Sequence, residues 1–217
     1  MNTALAEKRL NPALYHLIGR FQDTDVISFP FPHIYLTRCF PQDYYDALLA
    51  NLPHDGAYTD RTYDNRAMVS TRDLNTPFWK DLSEWMMSYE LISTVLEAFG
   101  LNERNISLDV RLVRDNAGYA IKPHTDVKRK LLSLLFYLPT DESSPDSGTS
   151  VMVPKEQGFT SDGSRRYEFE GFDVVRTMSF MPNTMLGFPR SDVSFHGVYP
   201  TTLQERNVLL LNLYKVK

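Results

Sequence analysis

The sequence predicts a mainly β fold, a double-stranded β-helix or jelly roll, with a helical layer supplied by the N-terminal half of the chain. Helix start signals are concentrated in residues 1–104, whereas short apolar or alternating runs separated by turn residues fill residues 105–217. The 217 residues, 42% hydrophobic and 23% charged, fit one globular domain. We therefore expect a single domain, in which residues 1–104 form a helical support and lid and residues 105–217 form the core.

Three helices are predicted in the N-terminal half. A Pro at the first helical position, preceded by a polar residue, is favoured because its missing N–H has no intrahelical acceptor at that position. Asn11-Pro12 and Thr76-Pro77 both follow this rule, and Gly100 provides a stop signal. The predicted helices are residues 13–21, 41–52 and 77–99.

Two other N-terminal segments are not predicted to be helical. Residues 33–38 mix Ile, Tyr and Thr, which favours a short strand. Residues 54–73 are polar and carry Arg61, Arg66 and Arg72. The segment is long and has no apolar periodicity typical of a helix or a strand, which predicts a loop. This loop is either a connector or a substrate lid.

Eight strands are predicted in the C-terminal half. Turn residues separate runs that are either apolar or alternate between apolar and polar positions. The predicted strands are residues 107–114, 120–124, 131–138, 149–153, 174–180, 184–188, 194–199 and 207–216. Eight strands within about 110 residues are typical of a jelly roll, which is cupin-like in its architecture.

Charge and composition exclude several classes of protein. The 27 acidic and 23 basic side chains give a net charge of −4, so we expect no nucleic-acid partner. The longest apolar run, residues 131–138, is too short to cross a membrane, and Glu7, Lys8 and Arg9 stand where a signal peptide needs an apolar core. We therefore expect a cytoplasmic protein with no membrane partner. The single Cys39 leaves nitrogen and oxygen as the ligands for any metal ion.

Two of the five histidines stand in a pattern that suits metal binding. His124-Thr125-Asp126 is an H-x-D triplet, and residues two apart in an extended segment project to the same face. His196 follows 70 residues after Asp126, and ten residues later Arg206 opens the largely apolar run of residues 206–214. Two His and one carboxylate form the facial set that holds ferrous iron with open positions. A nearby Arg suits the carboxylate of an anionic chelator.

This pattern resembles that of the Fe(II)/2-oxoglutarate-dependent dioxygenases, specifically their prolyl-4-hydroxylase-like branch. That branch carries an H-x-D triplet, a distal His and then a basic residue, the order in which His124, Asp126, His196 and Arg206 stand here. The likeness extends over residues 107–214. It implies that the first three residues are metal ligands and that all four take part in catalysis.

The resemblance also implies the cofactors and the reaction. The metal would be Fe(II), with 2-oxoglutarate and O2 as co-substrates and ascorbate as a reductant. The implied reaction is hydroxylation of an unactivated C–H bond, with release of succinate and CO2. Asp126 favours hydroxylation, because related halogenases carry a small residue at that position. The alternative is a cupin-like, non-redox metal- or sugar-binding module, which would need no basic residue after the distal His.

Four residues are implied in co-substrate binding. Arg206 would bind the distal carboxylate of 2-oxoglutarate, and Tyr137 would place its hydroxyl on the same carboxylate. Asn212 shares a face of the last predicted strand with Arg206 and would point into the barrel. Arg114, ten residues before His124, stays open between co-substrate support and substrate anchoring.

The substrate stays open among peptides, including peptidyl proline, amino acids, sugars and other small molecules, because a likeness of fold does not identify a substrate. The three arginines of residues 54–73 favour an anionic substrate.

Overall fold

The structure is a computed structural model that describes residues 11–61 and 65–216. The helices of this described part are α1 (Pro12–Gln22), α2 (Gln42–Ala50), α3 (Pro77–Met86) and α4 (Tyr89–Ala98). Its strands are β1 (Ile34–Thr37), β2 (Thr59–Arg61), β3 (Arg66–Ser70), β4 (Ile106–Asn116), β5 (Ile121–His124), β6 (Lys130–Tyr137), β7 (Ser150–Pro154), β8 (Phe172–Thr177), β9 (Thr184–Pro189), β10 (His196–Val198) and β11 (Glu205–Lys215). The eight strands predicted in the C-terminal half are present as β4–β11.

The strands form two antiparallel sheets, and the predicted jelly roll is confirmed. The large sheet has the order β1-β9-β6-β11-β4-β3-β2, and the small sheet has the order β5-β10-β7-β8. An apolar cluster that includes Val113, Val151 and Phe188 draws residues from both sheets. It forms the interior of the barrel.

The central strands of the large sheet are buried on both faces. Along β11, Leu209, Leu211 and Leu213 pack into the cluster that also contains the helices, whereas Val208 packs into the interior cluster. Alternate residues of a strand point to opposite faces, so an almost continuously apolar strand fits a sheet that is covered on both sides. The helical layer therefore fixes the outer face of the sheet whose inner face lines the barrel.

The predicted helix over residues 77–99 is interrupted. Ser88 has an extended backbone (φ −68°, ψ 151°), and its hydroxyl accepts a hydrogen bond from the Leu91 amide (3.3 Å). This side chain caps a new helix, which separates α4 from α3. None of the helices in the described ranges is both long and apolar enough to span a membrane.

The prediction of a loop over residues 54–73 is wrong for much of that segment. After a short 3-10 helix (Asp55–Ala57), β2 and β3 pair as antiparallel neighbours, and β3 pairs with β4 at one side of the large sheet. The alternating burial of β3, with Ala67 and Val69 buried, is a strand pattern that the flanking polar residues conceal in the sequence. Residues 62–64 of the segment, like residues 1–10 with Glu7, Lys8 and Arg9, lie outside the described residues.

Asn183 connects the end of β1 to the start of β9. Its backbone is left-handed (φ 57°), a conformation that Asn tolerates better than most residues. Its carboxamide accepts from the Phe40 amide (2.9 Å) and donates to the Phe40 carbonyl (2.8 Å), and its own carbonyl accepts from the Cys39 amide (3.0 Å). One buried side chain thus satisfies both backbone groups of Phe40.

Replacing Asn183 by Ala should lower the free energy of unfolding by about 2–4 kcal/mol, because two buried backbone groups of Phe40 lose their partners. Urea unfolding followed by tryptophan fluorescence measures this change. Asn102→Ala, at an exposed position, should change the same free energy by less than about 0.5 kcal/mol. Equal effects of the two substitutions would contradict this role of Asn183.

Candidate metal centre

The pairing of β5 with β10 brings two histidines together. His124 and His196 are directly opposite each other in this antiparallel pair, and their ring centroids are 4.3 Å apart. Opposite residues of an antiparallel pair project to the same face. Asp126 follows β5 by two residues, and one ligand atom from each of the three residues lies within 4.8 Å of those of the other two. The structure thus brings together the three predicted metal ligands.

Backbone contacts set the tautomers of the two imidazoles. Nδ1 of His124 lies 2.9 Å from the Lys122 carbonyl, and Nδ1 of His196 lies 3.0 Å from the Ser194 carbonyl. A carbonyl only accepts, so each Nδ1 carries the proton and each Nε2 keeps a lone pair for a metal ion. Burial, together with the neighbouring His196, lowers the pKa of His124 to about 3, and burial also lowers the pKa of His196. Both rings are therefore neutral, as metal binding requires.

The carboxylate of Asp126 is held from two sides. Lys130 Nζ donates to Oδ1 (2.9 Å), and Ser133 Oγ donates to Oδ2 (2.9 Å). Burial by itself would raise the pKa of Asp126, but the ammonium of Lys130 and the two imidazoles hold that pKa below its ordinary value. Asp126 is therefore ionised. Lys130 is not among the predicted site residues, although its spacing of four from Asp126 is the available signal in the sequence.

The main chain around Asp126 is also fixed. Arg190 Nε donates to the Asp126 carbonyl (3.0 Å), and the Thr125 hydroxyl donates to the Ser161 carbonyl (3.2 Å). Gly163 has a φ of +78°, and a Cβ there would lie 2.1 Å from the Asp126 carbonyl oxygen. Only glycine permits this close approach. The segment between β7 and β8 therefore packs directly on the backbone of the H-x-D triplet.

A cavity of about 170 Å³ connects the three ligands to Arg206. Its wall includes the four alternate residues of β11 that face the barrel, which are Arg206, Val208, Leu210 and Asn212. Asn212 stands near the three candidate ligands, because its Oδ1 lies 3.4 Å from the hydroxyl oxygen of Ser133, whose single proton is donated to Asp126. Arg206 is at the opposite end of this row. The predicted orientation of both residues into the barrel agrees with these contacts.

Two buried polar atoms of this cavity lack a partner. The side chain of Arg206 is almost fully buried, with Nη1 on Asp115 Oδ2 (2.6 Å) and Nε on the Ser147 carbonyl (2.6 Å). Within the described residues, Arg206 Nη2 and Thr149 Oγ1 make no hydrogen bond, and both residues line the cavity. An unsatisfied buried polar atom costs about 1–3 kcal/mol. Two such atoms in one cavity indicate a site for a polar ligand.

Tyr137 lies beside this end of the cavity. Its side chain is fully buried, and its ring centroid is 5.5 Å from Cζ of Arg206. The hydroxyl accepts a hydrogen bond from the Thr149 amide (3.1 Å). Thr149, which the sequence does not single out, is thus next to both Tyr137 and Arg206. Its position depends on the pairing of β7 and cannot be obtained from local spacing.

Arg114 does not reach the cavity. Its Nη1 donates to Asp55 Oδ1 (2.6 Å), and its guanidinium lies 4.5 Å from the ring centroid of Tyr58. Val113 and Asp115, its neighbours on β4, point into the barrel, so alternation turns Arg114 to the opposite face. The role that the sequence left open for Arg114 is therefore not supported by its contacts.

Comparison with known proteins gives a match of fold. No protein-family model and no curated protein matches the sequence. A prolyl-4-hydroxylase from Pseudomonas putida aligns over 94% of this chain and 100% of its own, with a TM-score of 0.61 and 14% identity. A prolyl hydroxylase from Trichoplax adhaerens, in complex with a peptide fragment of hypoxia inducible factor, aligns over 93% of this chain and 89% of its own (TM-score 0.60, 14% identity).

HygX from Streptomyces hygroscopicus, with nickel, 2-oxoglutarate and hygromycin B bound, aligns over 85% of this chain and 83% of its own (TM-score 0.56, 11% identity). At these identities the likeness shows the fold alone. That fold is the jelly roll of 2-oxoglutarate–Fe(II) oxygenases, including prolyl-4-hydroxylases, as the sequence resemblance predicts.

The metal-free protein should lose stability as the pH falls from 6.5 towards 3. Because the pKa of His124 drops from its ordinary 6.5 to about 3 on folding, only the unfolded chain takes up this proton in that window. His124 should therefore lower the free energy of unfolding by about 1.4 kcal/mol per pH unit. Urea unfolding in the presence of a chelator, from pH 7.5 to 4.5, measures this slope.

His124→Gln should make the pH dependence shallower by that amount. His54→Gln, at an exposed histidine outside the cavity, is the matched control and should keep the wild-type slope. A His124→Gln curve parallel to the wild type would show that this imidazole is not held neutral by folding.

Proposed function

We propose that this protein is an Fe(II)- and 2-oxoglutarate-dependent oxygenase that hydroxylates an unactivated C–H bond of a small-molecule or peptide substrate. One observation carries the proposal. A single cavity joins three side chains that can share a metal ion to two buried polar atoms, on Arg206 and Thr149, that lack partners. A metal ion alone would explain the three side chains but not the two unpartnered atoms. A metal ion chelated by a dicarboxylate would explain all five.

The donor set fits ferrous iron. Two neutral imidazole nitrogens, from His124 and His196, and the carboxylate of Asp126 make the 2-His-1-carboxylate set, which leaves positions open for other ligands. A ferrous ion held there supplies, with 2-oxoglutarate and O2, the oxidation of the substrate C–H bond and the release of succinate and CO2. Ascorbate would serve as a reductant. The protein supplies the ligand geometry and the enclosed surroundings.

The other end of the cavity fits the distal carboxylate of 2-oxoglutarate. Arg206 Nη2 and Thr149 Oγ1 can both donate to a carboxylate, and the Tyr137 hydroxyl is a third donor within the same group of residues. The guanidinium is held rigid by Asp115 and by the ring of Phe180, whose centroid is 4.9 Å from Cζ. We propose that these donors orient the co-substrate toward the metal ligands.

The polar groups around the metal ligands are proposed to keep the centre in one geometry. Ser133 and Lys130 restrict the rotation of the Asp126 carboxylate, and Asn212 Oδ1 lies beside the Ser133 hydroxyl. The carbonyls beside His124 and His196 keep both rings in the tautomer that ligates through Nε2. A ligand set held in this way needs little reorganisation when a metal ion binds.

The charges around the cavity support an anionic substrate. Arg66, Lys130 and Arg206 line it together with Asp126, and Asp115, which binds both arginines, brings the formal charge of this set to +1. Among the structural neighbours, one holds a peptide fragment and another holds hygromycin B, so the proposal includes both peptides and small molecules.

We further propose that the chain forms one domain and works in the cytoplasm. Trp79 of the helical layer and Leu211 of the barrel share one apolar core, which supports a single folding unit. The buried free thiol of Cys39 suits a reducing compartment.

His196→Ala and Asp126→Ala should each abolish the iron-dependent conversion of 2-oxoglutarate to succinate, because only two metal ligands would remain. Succinate is measured with Fe(II), ascorbate and 2-oxoglutarate supplied, and His54→Ala serves as the control. A panel of metabolites and peptides, screened by mass spectrometry for the gain of one oxygen atom, identifies the substrate. Unchanged turnover in both variants would remove the assignment and leave the cupin-like binding module.

Arg206→Lys should raise the KM for 2-oxoglutarate by about tenfold or more, because the planar set of donors is lost from a charged hydrogen bond worth about 1.5–3 kcal/mol. Thr149→Val, which removes only the hydroxyl, should raise the same KM by a smaller factor. The kcat should change less than the KM in both variants. Steady-state rates of succinate formation give both the KM and the kcat of each variant. Unchanged KM values would contradict this placement of the co-substrate.

A further inference from the structure

Three charged side chains lie side by side across the large sheet. Asp115 on β4 is the direct cross-strand neighbour of both Arg66 on β3 and Arg206 on β11. Arg66 donates through Nε to Asp115 Oδ1 and through Nη2 to Oδ2 (3.0 Å), while Arg206 donates through Nη1 to Oδ2 (2.6 Å). Asp115 is completely buried. One carboxylate is therefore shared between two guanidinium groups.

The position of Arg66 connects this row to the cavity. Arg66 is part of the cavity wall, and its guanidinium lies 4.3 Å from the ring centroid of Tyr119, another wall residue. Stacking on an aromatic face and a bidentate contact with Asp115 both restrict its conformation. Arg66 comes from the β2–β3 hairpin, whereas Arg206 comes from the centre of the sheet. The hairpin thus places a second cation behind the residue proposed to bind the co-substrate.

The charges of the row determine what Arg206 presents to a ligand. The two guanidinium cations and the one carboxylate of these three residues sum to a formal charge of +1. An Asp115–Arg206 pair alone would be neutral, and its carboxylate would repel an incoming anion. When Arg66 is present, Asp115 shares its negative charge between two arginines. Arg206 is then only partly neutralised, and the electrostatic potential near its Nη2 stays positive. Water screens charges only weakly at a buried site, so the positive charge that Arg66 adds should strengthen the attraction of an anionic ligand.

We infer that Arg66 is a positioning residue for the co-substrate, which acts through Asp115 to make the cavity select a 2-oxo acid with a second carboxylate. The inference rests on the function proposed above and adds a residue of the N-terminal hairpin to it. The distal carboxylate of the ligand continues the alternation of charge along Arg66, Asp115 and Arg206. Removing Arg66 makes the row neutral before the ligand binds.

The test compares two ligands that differ only in the distal group. 2-Oxoglutarate and 2-oxopentanoate share the chelating end, but the second lacks the distal carboxylate. Their affinities are measured by anaerobic titration calorimetry with the Mn(II)-loaded protein, which needs no turnover. Arg66→Gln should weaken the binding of 2-oxoglutarate by about tenfold and leave that of 2-oxopentanoate unchanged. Asp115 still has Arg206 as its partner in this variant, so no buried carboxylate is left alone.

Two further variants separate charge from structure. Arg66→Lys keeps the charge and should retain a preference for 2-oxoglutarate within about threefold of the wild type, even if Arg66→Gln does not fold. Arg72→Gln removes a cation from the same segment, one that contacts Met87 Sδ (3.1 Å) and not the cavity, and should change neither affinity.

Four outcomes would count against the inference or the function on which it rests. An equal loss of affinity for both acids in Arg66→Gln would mean a structural role only. A second outcome is that Arg66→Lys loses as much of the preference for 2-oxoglutarate over 2-oxopentanoate as Arg66→Gln is expected to lose. That result would mean that the charge of residue 66 does not cause the preference. A wild-type protein that binds the two acids alike would overturn the proposed function itself, whereas a wild-type preference that survives in Arg66→Gln would overturn only the role of Arg66.

Discussion

The antiparallel pairing of β5 with β10 is the constraint on which the candidate site depends. It sets His124 opposite His196, and a slip of one residue would turn one of the imidazoles to the other face of the sheet. Gly197 makes the pairing close, because a Cβ at that position would lie 2.8 Å from the Ile121 carbonyl oxygen. A larger residue beside His196 would push the strands apart. The two histidines that are candidate metal ligands are therefore positioned by backbone geometry before any ion binds.

The large sheet supplies the second half of the site by a different physical route. Burying the guanidinium of Arg206 removes it from water, and only a charged partner with good hydrogen bonds can offset that cost. Asp115 is that partner, and it is itself fully buried. The outward leucines of β11 pack beneath the helices, so the strand that carries Arg206 is held from both faces. Folding stability and the proposed recognition of the co-substrate thus use the same strand.

Much of the site follows from local sequence, and the remainder depends on long-range pairing. The H-x-D triplet, the distal His196 and Arg206 can be located from their order and spacing along the sequence, which resemble the pattern of the dioxygenases. Asp115 and Thr149 carry no such signal, since each becomes part of the site only through the strands beside it. Arg114 illustrates the limit most clearly. It stands one position from Asp115, and that single step turns it out of the barrel.

A crystal structure of the protein grown anaerobically with Mn(II) and 2-oxoglutarate tests the central claim most directly. An anomalous scattering peak is expected between Nε2 of His124, Nε2 of His196 and the Asp126 carboxylate. The distal carboxylate of the ligand is expected to accept hydrogen bonds from Arg206 Nη2 and Thr149 Oγ1. A manganese ion bound elsewhere, or a ligand whose distal carboxylate points away from Arg206, would contradict this claim.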